Sequence, residues 1–178
     1  MKSVVLVGYM CVGKTTIGRS LAKRLGTRFY DLDWYIEERF RSTVSRIFAE
    51  RGEAAFRDLE RRMLHEAAEF EDIVLSCGGG TPCFGDNMDY LLQTSLVCYL
   101  RTTPDVIIEH LKISRTERPL LKGLTGQELR DHITNQLAER EPFYSRAHLT
   151  FDIPLLGDPG KVERVADEIA AALRGLRS

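Results

Sequence analysis

Gly8–Tyr9–Met10–Cys11–Val12–Gly13–Lys14–Thr15 fits the spacing G-x4-G-K-[ST] of a phosphate-binding loop. Glycines let such a backbone curl until successive N–H groups face one concavity. Cys11, Val12 and Gly13 are the loop residues before the lysine. Lys14 is placed to reach β- and γ-phosphates, and the Thr15 hydroxyl to hold Mg²⁺. Thr15 and Thr16 open the helix whose dipole adds partial positive charge. Chance matches to this loose pattern occur. Here the loop follows the apolar run Val4–Val7 and precedes the stripe Ile17, Leu21, Leu25, which is the required context.

Asp31–Leu32–Asp33 is the second candidate. Two carboxylates at the carboxyl edge of a parallel sheet lie close to a phosphate loop. One suits a Mg²⁺ ion and the other an acceptor hydroxyl. The competing role for Asp33 is the N-cap of a helix over Trp34–Phe40. Ser76–Cys77–Gly78–Gly79–Gly80–Thr81 is the third: three glycines expose backbone N–H groups to a close-packed acceptor, or form only a flexible turn. Arg57, Arg118 and Arg140 complete the set. Singly, Arg57 reads as an ion-pair partner of Glu53 or Glu60, Arg140 as a cation at a helix end, and Arg118 as a solvated charge. Together they suit an anionic acceptor, because guanidinium binds carboxylate through two parallel bonds.

Short apolar runs alternating with helical patterns predict an α/β fold with a parallel sheet covered on both faces. The expected strands are 3–7, 28–31, 72–76, 96–100 and 148–152. The first helix ends at Gly26. A long helix is expected over 53–70, with Phe56, Leu59, Met63, Ala67 and Phe70 on one stripe. Thr103–Pro104 opens a helix to about Leu111, and Thr125 with Glu128 reads as a capping box on a helix stopping before Pro142. The last helix follows Pro159. Residues 112–124 lack a period and read as a long loop.

The chain of 178 residues corresponds to one domain. Its 25 basic and 26 acidic residues give a net charge of −1, which excludes the global positive field of non-specific nucleic-acid binding. No apolar run is long enough to span a bilayer. Val4–Val7 reads as a buried strand rather than part of a leader, since no small-residue cleavage site follows. The four cysteines form no CxxC pair and read as free thiols of the cytoplasm, and the four histidines show no HExxH spacing. A GTPase switch needs DxxG and NKxD, and neither occurs. A motor needs mechanical domains that this length leaves no room for. A small-molecule kinase is the class the candidates fit.

With these residues in order, the chain resembles the shikimate kinases nearly end to end. The resemblance rests on Gly8 to Thr16, Asp31–Leu32–Asp33, Ile47–Phe48, Gly52–Glu53, Phe56–Arg57, Glu60, Gly78–Gly79–Gly80, Arg118–Pro119–Leu120–Leu121 and Arg140–Glu141–Pro142–Phe143–Tyr144. It implies a P-loop fold like that of the nucleoside monophosphate kinases: a five-stranded parallel sheet in the order 2-3-1-4-5, with a lid. It implies transfer of the γ-phosphoryl group of ATP to the 3-hydroxyl of shikimate, a step toward chorismate and the aromatic amino acids. By resemblance, Lys14 and the loop amides hold phosphates, Thr15 and Asp31 serve Mg²⁺, and Asp33 takes the ring hydroxyls. Arg57, Arg140, Gly79 and Gly80 hold the shikimate carboxylate. Arg118 closes from the lid (112–124), and the segment around Pro159 contacts adenine. The acceptor region is expected over 33–62. The implied partners are shikimate and MgATP acting on a monomer, with no nucleic acid and no membrane. Cys11, Val12 and Gly157 depart from the residues many members carry there.

Overall fold

The computed structural model describes residues 3–113, 121 and 123–176. Among them are strands β1 (Val4–Val7), β2 (Arg28–Asp31), β3 (Ile73–Ser76), β4 (Leu96–Arg101) and β5 (Leu149–Asp152). All pair in parallel, in the order β2-β3-β1-β4-β5. The helices are α1 (Lys14–Leu25), α2 (Leu32–Phe40), α3 (Val44–Ala68), α4 (Asn87–Thr94), α5 (Pro104–Ile113), α6 (Gly126–Tyr144) and α7 (Pro159–Gly175), with a short 3₁₀ turn at Thr81–Cys83.

The apolar strands divide their residues between two cores. Val5, Val7, Ile73, Leu75, Val97 and Tyr99 face one side, against α2, α3 and α4. Val4, Leu6, Val74, Cys98 and Leu100 face the other, against α1 and α7. A strand buried on both faces therefore reads as a continuous apolar run, which is why β1 was legible. Gly18 in α1 lets that helix lie close: a Cβ there would stand 2.5 Å from the Phe29 ring.

Register sets the functional edge. Leu6 and Asp31 both pair with Ser76, and Val7 pairs with Tyr99. The loops after β1, β2 and β3 consequently leave the sheet side by side, at its carboxyl edge.

The expected strands are all present, each within one residue of its predicted bounds. The helices differ more from the sequence reading. α3 begins at Val44 rather than 53, with Gly52 at φ 78° interrupting it, a conformation that glycine adopts without strain. α4 and the 3₁₀ turn have no counterpart in the sequence reading. The capping box at Thr125 does not form: Gly126 lies at φ 54° and the Thr125 side chain makes no cap bond. α6 also runs through Pro142 to Tyr144, because a proline in the last turn removes only one backbone bond. α5 extends to Ile113, two residues into the stretch read as a loop. No helix among the described residues is long and apolar enough to cross a membrane.

Candidate active site

The loop between β1 and α1 is shaped by its dihedrals. Gly8 lies at φ 144°, Gly13 at φ 104°, and Cys11 at φ 62°, a left-handed conformation unusual for a residue with a Cβ. Lys14 opens α1 and is buried. Its Nζ donates to Gly8 O and Tyr9 O, both at 2.8 Å. Burial pulls the ammonium down to about 8, opposed by the nearby Cys77, Asp33, Cys11 and Asp31. The Val12 side chain is fully buried and its N–H bonds Tyr9 O at 3.4 Å, whereas Thr16 is exposed.

Thr15 Oγ1 donates to Asp31 Oδ2 at 2.8 Å. Asp31 Oδ1 accepts from Asp33 N at 3.1 Å, so Asp31 caps α2. The cap role considered for Asp33 falls on its neighbour, and the Asp33 carboxyl is left for other work. Burial chiefly, then the charges of Asp31 and Glu60, push that carboxyl up to about 6, against the pull of Lys14.

The three glycines after β3 form the floor between these groups. A Cβ on Gly78 would stand 2.9 Å from Thr81 Oγ1, 3.3 Å from Glu60 Oε1 and 3.6 Å from Asp33 Oδ1. One on Gly79 would meet Arg140 Nη1 at 3.1 Å and Met10 N at 3.2 Å. One on Gly80 would meet Arg57 Nη2 at 2.8 Å. The turn thus brings Asp33, Arg140 and Arg57 onto one surface beside the phosphate loop, and any side chain there would fill it.

Both expected ion pairs of Arg57 exist: Nη1 bonds Glu60 Oε2 at 2.8 Å, and Nε lies 3.8 Å from Glu53. They orient the guanidinium toward Gly80 rather than compete with a site role. Glu60 is only 2% exposed, and its other oxygen accepts from Thr81 Oγ1 at 2.6 Å. A buried carboxylate satisfied on both oxygens makes a rigid brace.

Arg140 is not at a helix end. Gln136, Arg140 and Tyr144 are spaced by four on α6 and share one face. Gln136 accepts from Tyr9 OH at 2.7 Å, Tyr144 OH donates to Gly79 O, and the Arg140 guanidinium lies 5.3 Å above the Tyr9 ring. This face exists because α6 continues through Pro142. Arg140 Nη1 is a buried donor with no hydrogen-bond partner, an atom whose desolvation calls for an acceptor.

The donor set fits Mg²⁺. A hydroxyl and a carboxylate lie in contact, with a second carboxylate two residues on, and Mg²⁺ favours a few such oxygens completed by phosphate and water. Among the described residues no cluster of three His, Cys, Asp or Glu offers an all-protein cage. Two cavities, of about 250 and 220 Å³, are lined by none of Lys14, Asp33, Arg57 or Arg140.

Pro159 is the first residue of α7, capped by Asp158, whose Oδ1 accepts from Lys161 N at 3.1 Å. Arg118 and most of the expected lid lie outside the described residues. Sequence reasoning quoted Thr81 without a role of its own and gave Glu60 a role only as a partner of Arg57. It quoted Tyr144 without a role, although its spacing from Arg140 was a usable signal.

The chain is similar to known proteins in both sequence and fold. The family profile described as shikimate kinase matches residues 10–174. A shikimate kinase of Parabacteroides distasonis is 53% identical over 152 residues, covering 85% of this chain and 88% of that protein. One from Bacteroides thetaiotaomicron is 49% identical over 163 residues, covering 92% and 93%. The solved shikimate kinase of Acinetobacter baumannii in complex with shikimate superposes with a TM-score of 0.85 at 31% identity, covering 98% of this chain and 94% of that one. With the profile covering residues 10–174 and relatives about half identical over most of the chain, this chain belongs to the shikimate kinase family.

Proposed function

We propose that the chain carries out the family's reaction in this cradle, moving the γ-phosphoryl group of ATP to the 3-hydroxyl of shikimate and releasing shikimate 3-phosphate and ADP. One observation carries the reading: Arg57 and Arg140 converge on Gly79–Gly80 within 3.1 Å of where a Cβ would be, beside Asp33 and Met10 N of the phosphate loop. Two guanidiniums suit a carboxylate. Asp33 suits a hydroxyl, and the loop suits polyphosphate. An acceptor that is a hydroxylated acid satisfies all three at once.

Phosphoryl transfer is mostly positioning and charge neutralisation. In this reading Lys14 Nζ exchanges its loop carbonyls for phosphate oxygens. Arg57, braced by Glu60, and the unpartnered Arg140 Nη1 take the acid's carboxylate. Asp33 accepts a hydrogen bond from the attacking hydroxyl and takes its proton late in the transfer. Thr15 and Asp31 would hold Mg²⁺, which neutralises phosphate charge when bound. Arg118 is assigned to the closing lid by resemblance, and Pro159 to the nucleotide base. We assign the working unit as a monomer of one domain, with its acceptor region over 33–62 and its lid over 112–124. The four cysteines are unpaired, which supports the cytoplasm.

A coupled ADP-release assay across shikimate, gluconate and nucleoside monophosphates tests the reading. Turnover with shikimate is expected, and turnover confined to another acceptor contradicts it. Gly80→Ala gives a local test. Gly80 lies at φ −86°, ψ −18°, a conformation open to any residue, so the added methyl strains only Arg57. The KM for shikimate should rise about tenfold or more, as for a lost charged hydrogen bond, with the KM for ATP within about twofold. An unchanged KM for shikimate would remove Arg57 from the acceptor site.

A further inference from the structure

His110 joins the two halves of the nucleotide site, although no motif in the sequence marks it. It lies on α5, one turn after Ile107, which packs against Tyr9 in a small third core. That packing aims the imidazole at the back of the phosphate loop. Nδ1 lies 2.8 Å from Cys11 O, and Nε2 accepts the Leu156 N–H at 2.8 Å. Acceptance at Nε2 places the single proton of the neutral ring on Nδ1, where it donates to the Cys11 carbonyl.

Other side chains hold neighbouring backbone, Lys14 at Gly8 O and Tyr9 O and Lys161 at Leu155 O, but among the described residues His110 alone bonds both the loop and the base-side segment. Cys11 holds φ 62°, a left-handed conformation that strains a residue with a Cβ, so an outside tether helps to hold its peptide. Leu156 belongs to the irregular segment between β5 and α7, the stretch assigned above to the nucleotide base. Its side chain closes on the same loop: Leu156 Cδ1 lies 2.5 Å from where a Cβ on Gly13 would be. One ring therefore sets the spacing between the phosphate cradle and the base-side segment.

We propose that His110 is a positioning residue for ATP, holding Cys11 and Leu156 at the separation the nucleotide spans while leaving the acceptor half untouched. The inference rests on the reading of the site as an ATP:shikimate kinase. His110→Ala is expected to raise the KM for ATP about tenfold, the scale of one or two net hydrogen bonds. The KM for shikimate and kcat should stay within about threefold. His110→Gln, whose amide carries one donor and one acceptor, should recover most of the loss.

A second measurement needs no activity. Imidazole ¹⁵N–¹H correlation spectra of the wild-type protein should show one neutral ring protonated at Nδ1, and that signal should vanish in His110→Gln. His148, whose Nδ1 accepts the Val97 N–H, carries the opposite tautomer; that tautomer at His110 itself overturns the inference. So does an alanine variant that alters neither KM or both equally, or a glutamine variant no better than alanine. If wild-type protein turns over shikimate in those same assays, such a result removes His110 alone. If it does not, the functional reading itself fails.

Discussion

Lys14→Met is expected to lower kcat for shikimate phosphorylation by about a hundred- to a thousandfold, the effect of removing one donor aimed at developing charge. Methionine follows lysine as far as Cε, lacks only the terminal nitrogen's reach, and suits a buried, apolar position. Because burial already holds the ammonium down to about 8, replacing it relieves a desolvation penalty that offsets the lost bonds to Gly8 O and Tyr9 O, and the thermal midpoint should change little. The loss then belongs to chemistry rather than folding. The KM for shikimate should stay within about twofold, since Arg57, Arg140 and Gly80 are untouched. A kcat within about threefold of wild type would place the phosphates elsewhere.

Asp33→Asn is the second large effect. Its carboxyl lies beside Gly78, uncommitted to the helix cap, and pushed up to about 6. A base in that range is ionised at neutral pH yet able to take a proton in the transition state. The amide should reduce kcat by about a hundredfold or more, within the range of general-base contributions. In the wild type, kcat/KM should fall as pH drops below about 6, and fall again as pH rises through about 8 and Lys14 loses its charge. The acid limb should vanish in Asp33→Asn.

Stability moves in the opposite sense. A raised carboxyl binds its proton more tightly in the native state, so Asp33 withdraws stability as pH rises from about 4 to about 6. The asparagine variant should thus exceed the wild type in thermal midpoint at neutral pH, and the gap should close below about pH 4. A midpoint gap that does not depend on pH would mean the carboxyl is not perturbed. Such an opposition of activity and stability is common at reacting sites.

Much of this site was legible before any fold was described, because its local patterns carry their own geometry. Gly8 to Thr15 states a strand, a turn and a helix in one run. The double carboxylate Asp31 and Asp33 follows a strand end, although the division of labour between them depended on where α2 begins, and one residue decides that. The helix bounds were legible where a cap is local, as at Gly26 and Thr103. They were not where Gly52 and Pro142 act against their usual roles: one lies inside α3, and the other lets α6 continue so that Tyr144 keeps the face of Arg140. The braces Glu60–Thr81 and His110–Leu156 join residues 21 and 46 apart in sequence. Contacts of that span leave no periodic trace.

The account reduces to one geometric requirement, that the acid and the polyphosphate meet in line over the glycine turn. A crystal structure of this chain with shikimate and a non-hydrolysable ATP analogue measures it directly. The 3-hydroxyl oxygen should lie about 3–3.5 Å from the γ-phosphorus and within hydrogen-bond reach of Asp33, with the carboxylate between Arg57 and Arg140. Shikimate bound with its carboxylate away from both arginines, or its 3-hydroxyl turned from the phosphate, would contradict it.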